Sequence, residues 1–124
     1  KEKLLKTKVY GLFVNEKLMC SVSLSNFPPN YYEKKMLKFF KIKDTHATYL
    51  SMLAVYPKLH KNGIASKMLK FSEEIVKEES NSIRIDVLKS LNELNRFYEK
   101  RGFMLVKEIS EKDEEMNYYE KKVK

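Results

Sequence analysis

Two runs rich in apolar, β-branched and aromatic residues, Val9-Tyr10-Gly11-Leu12-Phe13-Val14 and Leu18-Met19-Cys20-Ser21-Val22-Ser23-Leu24, flank the polar turn Asn15-Glu16-Lys17. That spacing predicts a β-hairpin. From Ser25 to Thr45 the alternation is lost, and Pro28-Pro29 opens a stretch crowded with Tyr31, Tyr32, Phe39 and Phe40. A long connection that aromatic predicts a packed wall or lid rather than a free linker. Residues Ala47 to Val55 are nearly continuously apolar, the mark of a strand buried on both faces. Pro57 ends it, having no amide hydrogen to donate.

After the basic loop Lys58 to Asn62 and Gly63, the period changes. Ile64, Met68, Leu69, Ser72, Ile75 and Val76 recur at helical spacing, with Lys67, Lys70, Glu73, Glu74 and Lys77 between them. This predicts a helix of about three turns with one apolar face. Ile83, Ile85 and Val87 alternate as a strand, and Ser90-Leu91-Asn92-Glu93 has the spacing of a capping box at the start of a second helix. Gly102 ends that helix, where a left-handed residue is wanted. Phe103 to Val106 and Met116 to Val123 are two further strands, joined by the polar, acidic segment Ser110 to Glu115. The order strand, strand, long loop, strand, helix, strand, helix, strand, strand implies an α/β chain with a mixed sheet and helices packed on it.

Composition narrows this picture. The 124 residues are enough for one core and suit a single domain spanning 1–124. Charged residues are 34% and apolar residues 43%, ordinary globular usage. Of the +8 net charge nearly all the positive side is lysine, since Arg84, Arg96 and Arg101 are the only arginines. The lysines spread along the whole chain, as on a solubilising surface, so no nucleic-acid partner is expected. Cys20 alone cannot form an intramolecular disulfide, and with His46 and His60 it leaves too few soft ligands for a structural zinc site; no metal is expected. No apolar run approaches the ~20 residues that span a bilayer, and KEKLLKTK at the start lacks a signal-peptide core. A cytoplasmic protein without membrane contact is the default expectation. Exposed edge strands are compatible with a homodimer.

The segment Val55 to Ser66 carries the chemistry. It is a buried strand, a glycine-bearing turn and a helix N-terminus in succession, so unpaired amide hydrogens and the positive end of the helix dipole converge on one point. Such a point binds phosphate. Gly63 admits a close backbone approach, Ala65 and Ser66 keep the first turn slim, and Lys58, Lys61 and Lys67 add positive charge. Alone, the same residues also describe an ordinary strand-to-helix turn.

Here the sequence resembles the GNAT superfamily of acyl-coenzyme A dependent N-acetyltransferases. The family signature is a buried strand ending V-x-P followed by Q/R-x-x-G-x-G/A at a helix start, and this chain reads V-Y-P-K-L-H-K-N-G-I-A from Val55 to Ala65. A second segment, I-R-I-D-V then a helix ending F-Y-E-K-R-G-F, looks like the family's YEKxGF. Phe71-Ser72-Glu73-Glu74 and Tyr118-Tyr119-Glu120-Lys121 are similar to the bacterial-type small branch.

The resemblance implies a GNAT-like fold: a central, mostly antiparallel mixed sheet with a splayed parallel pair and flanking helices. It implies acetyl-CoA as acetyl donor, an amine acceptor, and direct attack of the amine on the thioester. The backbone of Leu53, Ala54 and Val55 would pair with the pantetheine arm, with an amide near Leu53 or Val55 as oxyanion hole. The pyrophosphate would sit on the amides of Lys61, Asn62, Gly63, Ile64, Ala65 and Ser66, with the His60 side chain helping to shape this cofactor-binding loop. Tyr98 occupies the place of the tyrosine that protonates the departing thiolate, a role suited to a phenol with an ordinary pKa of about 10. The family also places a strand and one or two helices ahead of the hairpin, where this chain has only Lys1 to Lys8. The resemblance therefore implies that these elements are missing from this chain, disordered or supplied by a partner.

Three positions depart from the family pattern. His60 replaces the Q/R that opens the loop. Ser51 stands where a glutamate base is common, so deprotonation of the amine must come through water, from another strand or loop, or in bulk. The asparagine seven residues before the tyrosine is Leu91 here, so either Asn92, or its competitor Asn95, makes the cofactor contact or the contact is absent. These departures frame the alternative of a catalytically inactive acyl-CoA-binding module. The acceptor wall would come from residues 26–45 and from the last connection, where Glu108, Glu111, Asp113, Glu114 and Glu115 form either an attractor for a cationic amine or a solvated loop. His46 and Tyr49 stand at the start of the buried strand, as pocket or packing residues.

Overall fold

The computed structural model describes residues 7–28, 40, 47–55, 63–112 and 114–123. The chain order is β1 (Thr7–Val14), β2 (Lys17–Ser25), β3 (Ala47–Val55), α1 (Ile64–Val76), β4 (Ser82–Leu88), α2 (Asn92–Lys100), β5 (Met104–Glu111) and β6 (Glu114–Lys122). The six strands form one sheet in the order β1-β2-β3-β4-β6-β5. Neighbours run antiparallel except β3 and β4, which are parallel. The mixed α/β architecture read from the sequence is the architecture of the chain.

Local chemistry accounts for the elements. Asn15 and Glu16 both take positive φ, 51° and 65°, so β1 and β2 are joined by a two-residue turn whose twist matches the strands. Tyr10, Leu12 and Phe13 of β1 pair with Val22, Cys20 and Leu18 of β2. Helix α1 buries Met68, Leu69, Ser72 and Val76, the stripe anticipated from the 3.6-residue period. The Ser72 hydroxyl is satisfied by the Met68 carbonyl one turn back, at 2.8 Å.

Two expectations need correction. Helix α2 does not start with a capping box: Leu91 is its N-cap, without a side-chain cap bond. The Leu91 amide donates to the Leu88 carbonyl at 3.1 Å, closing a turn over residues 88–91 that holds Ser90 outside the helix. The last connection is also shorter than anticipated, because β5 continues to Glu111 and β6 begins at Glu114. Most of the acidic segment is therefore strand, held by the pairs Ser110 with Glu115 and Glu111 with Glu114.

One face of the sheet carries the main core. Cys20, Val22, Leu24, Leu50, Ile83, Ile85, Val87 and Tyr119 meet Met68, Leu69 and Val76 of α1 and Tyr98 of α2. Burial of this order is the main favourable term in folding, at roughly 25 cal/mol per Å² of apolar surface. The opposite face carries Phe40 and Tyr118, packed with Val106, Ile109 and Met116. It also holds a buried ion pair, Arg84 Nε to Glu120 Oε2 at 3.3 Å, with Arg84 donating to the Tyr49 hydroxyl at 2.9 Å and lying over the Phe40 ring at 4.5 Å. Buried charge is tolerated there because each group has partners. Of the predicted aromatic wall, Phe40 is buried as expected, and residues 29–39 and 41–46 lie outside the described residues. No described helix is long and apolar enough to cross a membrane.

Candidate active site

The parallel pair is short. β3 and β4 are in register only over Ala47 with Ser82, Thr48 with Ile83 and Tyr49 with Arg84, although β3 runs on to Val55 and β4 to Leu88. Beyond Tyr49 and Arg84 the two strands part into a fork, leaving backbone groups of β3 on that edge without a strand partner. On its other edge β3 stays paired to β2, through Ser21 with Ala54 and Cys20 with Val55. The register shifts between Ser21 and Val22, which faces Met52, so Leu53 is an extra residue opposite no partner. A bulge of this kind re-aims the backbone locally. Leu53, Ala54 and Val55 thus occupy the splayed arm of the fork.

Helix α1 begins where the sequence places it. Gly63 is its N-cap at φ 71°, ψ 13°, a left-handed conformation that costs a residue with a side chain. The first intrahelical bond from the cap runs from the Lys67 amide to the Gly63 carbonyl at 3.0 Å. The amides of Ile64, Ala65 and Ser66 precede it, and among the described residues no side chain caps them. No acidic residue lies in the first turn to neutralise the dipole. A β-carbon built on Gly63 meets nothing within 4 Å among the described residues. His60, Lys61 and Asn62 lie outside the described residues.

A cation that sequence reading did not single out joins this turn. Arg101, at the C-terminal end of α2, donates from Nε to the Ser66 hydroxyl at 3.1 Å and from a terminal nitrogen to the Phe97 carbonyl at 2.9 Å. Its guanidinium stacks on the Phe97 ring at 3.8 Å. It ties the end of α2 to the start of α1. The only signal in the sequence was an arginine in K-R-G-F, and a partner 35 residues away cannot be read from that.

Tyr98 lies on the helix side of the sheet, 3% exposed, between Phe97 and Phe103 with ring centroids at 5.2 and 5.3 Å. Burial first, then the negative charges of Asp86 on β4 and Cys20 on β2, hold its hydroxyl well above the usual tyrosine range. It is a neutral proton donor throughout the physiological range. Among the described residues its hydroxyl makes no hydrogen bond.

The two asparagines have different positions. Asn92 is the exposed first residue of α2. Asn95 is buried, and both ends of its amide are used in the fold. Nδ2 donates to the carbonyls of Leu88 at 3.0 Å and Leu91 at 2.8 Å. Oδ1 accepts from Asn117 Nδ2 at 2.8 Å and lies 2.7 Å from the Tyr119 hydroxyl. That hydroxyl also stands 2.9 Å from Glu99 Oε2, one proton between two acceptors. Ser51 is exposed on the same face as Tyr49, and Glu108, Glu111 and Glu115 are exposed along the β5–β6 hairpin. Among the described residues no cluster of three His, Cys, Asp or Glu side chains forms that could hold a metal.

A mixed sheet whose parallel pair parts after three residue pairs, followed by a helix that starts at a left-handed glycine, is the architecture of the GNAT acetyltransferases. The model of the Acetyltransferase (GNAT) domain matches residues 23–116, and the chain belongs to that family.

Among solved structures, the chain is similar to smu.2055 from Streptococcus mutans UA159, at 21% identity and TM-score 0.75, covering 95% of this chain and 71% of that one. It is similar to aminoglycoside acetyltransferase AAC(6')-Ib in complex with coenzyme A and kanamycin, at 16% and 0.72, covering 94% of this chain and 66% of that one. The PaiA N-acetyltransferase from Thermoplasma acidophilum in complex with coenzyme A matches at 18% and 0.70, covering 94% and 60%. At these identities the likeness is one of fold. No curated protein matches the sequence.

Proposed function

We propose that the chain transfers the acetyl group of acetyl-CoA to a primary amine of a small molecule or protein, by direct attack of the amine on the thioester. The observation that carries this reading is the fork, in which pairing stops at Tyr49 and Arg84 while β3 continues to Val55. An extended arm such as pantetheine can complete that edge with the hydrogen bonds a strand would make. The amides of Gly63 to Ser66, which no described side chain caps, fit a pyrophosphate, with Arg101 and Lys67 adding positive charge. Coenzyme A in the structures of AAC(6')-Ib and PaiA supports the same donor here.

Bound acetyl-CoA supplies an activated acyl carbon and a thiolate leaving group. The chain's own residues supply the rest. Backbone amides around Leu53 to Val55 polarise the carbonyl, and Tyr98 gives its proton to the sulfur. His60, Lys61 and Asn62 complete the loop, and Asn92 remains available to the cofactor at the start of α2. The chemistry needs no metal.

Calorimetric titration with acetyl-CoA and with competitors that lack the pantetheine arm, such as ATP, tests the binding step. Saturable binding of acetyl-CoA that free ATP does not displace is expected, because the fork reads the pantetheine arm. Binding abolished by ATP alone would leave only a phosphate site. The inactive-module alternative, motivated by the exposed Ser51, would show the same binding without acetyl transfer to any amine.

A further inference from the structure

The Tyr98 ring stands between those of Phe97 and Phe103, and each of these two rings faces a cation that α1 holds. On one side the Arg101 guanidinium lies 3.8 Å over Phe97 while its Nε donates to Ser66 Oγ at 3.1 Å. On the other, Lys121 Nζ lies 5.7 Å from the Phe103 centroid and 2.7 Å from Glu73 Oε1. A cation over an aromatic face holds the ring by its quadrupole as well as by packing. Ser66 and Glu73 are two turns apart on α1, so both anchors lie on one side of that helix.

Arg101 also holds the backbone of α2. A terminal nitrogen donates to the Phe97 carbonyl at 2.9 Å, and its amide donates to the Tyr98 carbonyl at 3.0 Å. One residue thus fixes the main chain of Tyr98, the ring beside it and the first turn of α1. Lys121 and Glu73 are both part-buried, where an ion pair keeps its geometry better than in open solvent. The Tyr98 hydroxyl makes no hydrogen bond among the described residues, so its place follows from where its ring is packed. A proton donor acts only within hydrogen-bond reach, and a misplacement of about 1 Å can cost about 100-fold in rate.

We propose that Arg101 and Lys121 are positioning residues that clamp the two rings beside Tyr98 to α1, so that the helix holding the pyrophosphate also sets where the Tyr98 hydroxyl meets the sulfur. This rests on the acetyltransferase reading above. Cofactor and acid are then referred to one rigid helix, and both cations act through the tyrosine rather than on the thioester. The charge that Arg101 lends the pyrophosphate is a separate contribution, which a lysine can supply. A lysine cannot supply the planar group that bonds Ser66 and Phe97 while stacking on the ring.

The test measures kcat and acetyl-CoA affinity for Arg101→Lys, Lys121→Met and Lys121→Arg, each in the wild-type and in the Tyr98→Phe background. Arg101→Lys and Lys121→Met lower kcat about tenfold, with acetyl-CoA affinity within about twofold of wild type, as for a donor displaced in a site that still binds. Lys121→Arg, which keeps a cation for Glu73 and Phe103, holds kcat close to wild type. In the Tyr98→Phe background neither Arg101→Lys nor Lys121→Met lowers kcat further, because the group they place is gone; a merely structural loss would persist there. Unchanged kcat in both variants, or the same fall with and without the Tyr98 hydroxyl, overturns the proposal. Retained affinity shows that a variant is folded, and Phe97→Leu, which removes a clamped ring and no charge, gives the same reading where a cation variant fails to fold. Wild type inactive on every amine sinks the acetyltransferase reading and the clamps with it, whereas an active wild type with kcat indifferent to these variants sinks the clamps alone.

Discussion

The backbone amide of Phe103 donates to the carbonyl of Tyr98 at 3.1 Å, and the two rings meet edge to face with centroids 5.3 Å apart. With the Gly102 amide on the Glu99 carbonyl at 3.2 Å, this is a Schellman motif complete with its apolar contact. The turn that ends α2 is therefore also what fixes the ring of the candidate acid.

That turn depends on Gly102 at φ 92°. Gly102→Ala places a β-carbon 3.4 Å from the flexible Lys121 side chain, so the cost lies in the backbone rather than in a clash. A loss of about 1–2 kcal/mol in urea unfolding is expected, the penalty of a left-handed residue with a side chain.

Gly63→Ala separates stability from binding. The added methyl meets no described atom within 4 Å, so unfolding shifts by only about 1 kcal/mol from the left-handed φ of 71°. On the proposed function, phosphate oxygens approach the backbone at this position. Calorimetry should show acetyl-CoA affinity reduced about tenfold or more, at least 1.4 kcal/mol.

Asn95 is the hub that joins α2 to β4 and β6. Asn95→Ala strands the Asn117 amide and removes one acceptor of the Tyr119 hydroxyl, at about 1–3 kcal/mol for each group left unpaired. Chemical denaturation reads this loss, and acetyl-CoA affinity measured on the folded fraction should hold. A variant of wild-type stability with lost cofactor affinity would assign Asn95 to the cofactor instead.

Stability should fall at alkaline pH. Burial pushes up the Cys20 thiol, and burial with nearby anions pushes up Tyr98 and Tyr119, so the folded state keeps protons that the unfolded chain releases. Below the unfolded values, about 8.5 for Cys and 10 for Tyr, these groups give no pH dependence. Above them each contributes a loss of about 1.4 kcal/mol per pH unit until the folded group itself titrates. Urea midpoints from pH 8 to 11 check this, with Tyr98→Phe expected to show the shallower decline.

Much of this fold is legible in the sequence where burial and local period coincide. The apolar run Ala47 to Val55 is β3, and the 3.6-residue stripe from Ile64 is α1. Legibility fails where pairing replaces burial. Most of β5 is exposed, and its charged residues hide a strand held by its ladder to β6. The capping-box spacing at Ser90 is overridden by the turn closed on the Leu88 carbonyl, a bond that a spacing rule does not contain.

The site divides in the same way. Gly63, Ser66 and Tyr98 are found through contiguous motifs. Arg101 on Ser66, and Arg84 between Tyr49 and Glu120, join residues at least 35 apart in sequence and need the topology.

Thiol release from acetyl-CoA, with mass detection of the acceptor, decides whether the fork acetylates amines. Across polyamines, amino acids, aminoglycosides and N-terminal peptides, at least one amine should release thiol and gain one acetyl group. Tyr98→Phe should lower kcat by about 100-fold while leaving acetyl-CoA affinity near wild type. Thiol release that no amine accelerates, or full turnover in Tyr98→Phe, would contradict the account.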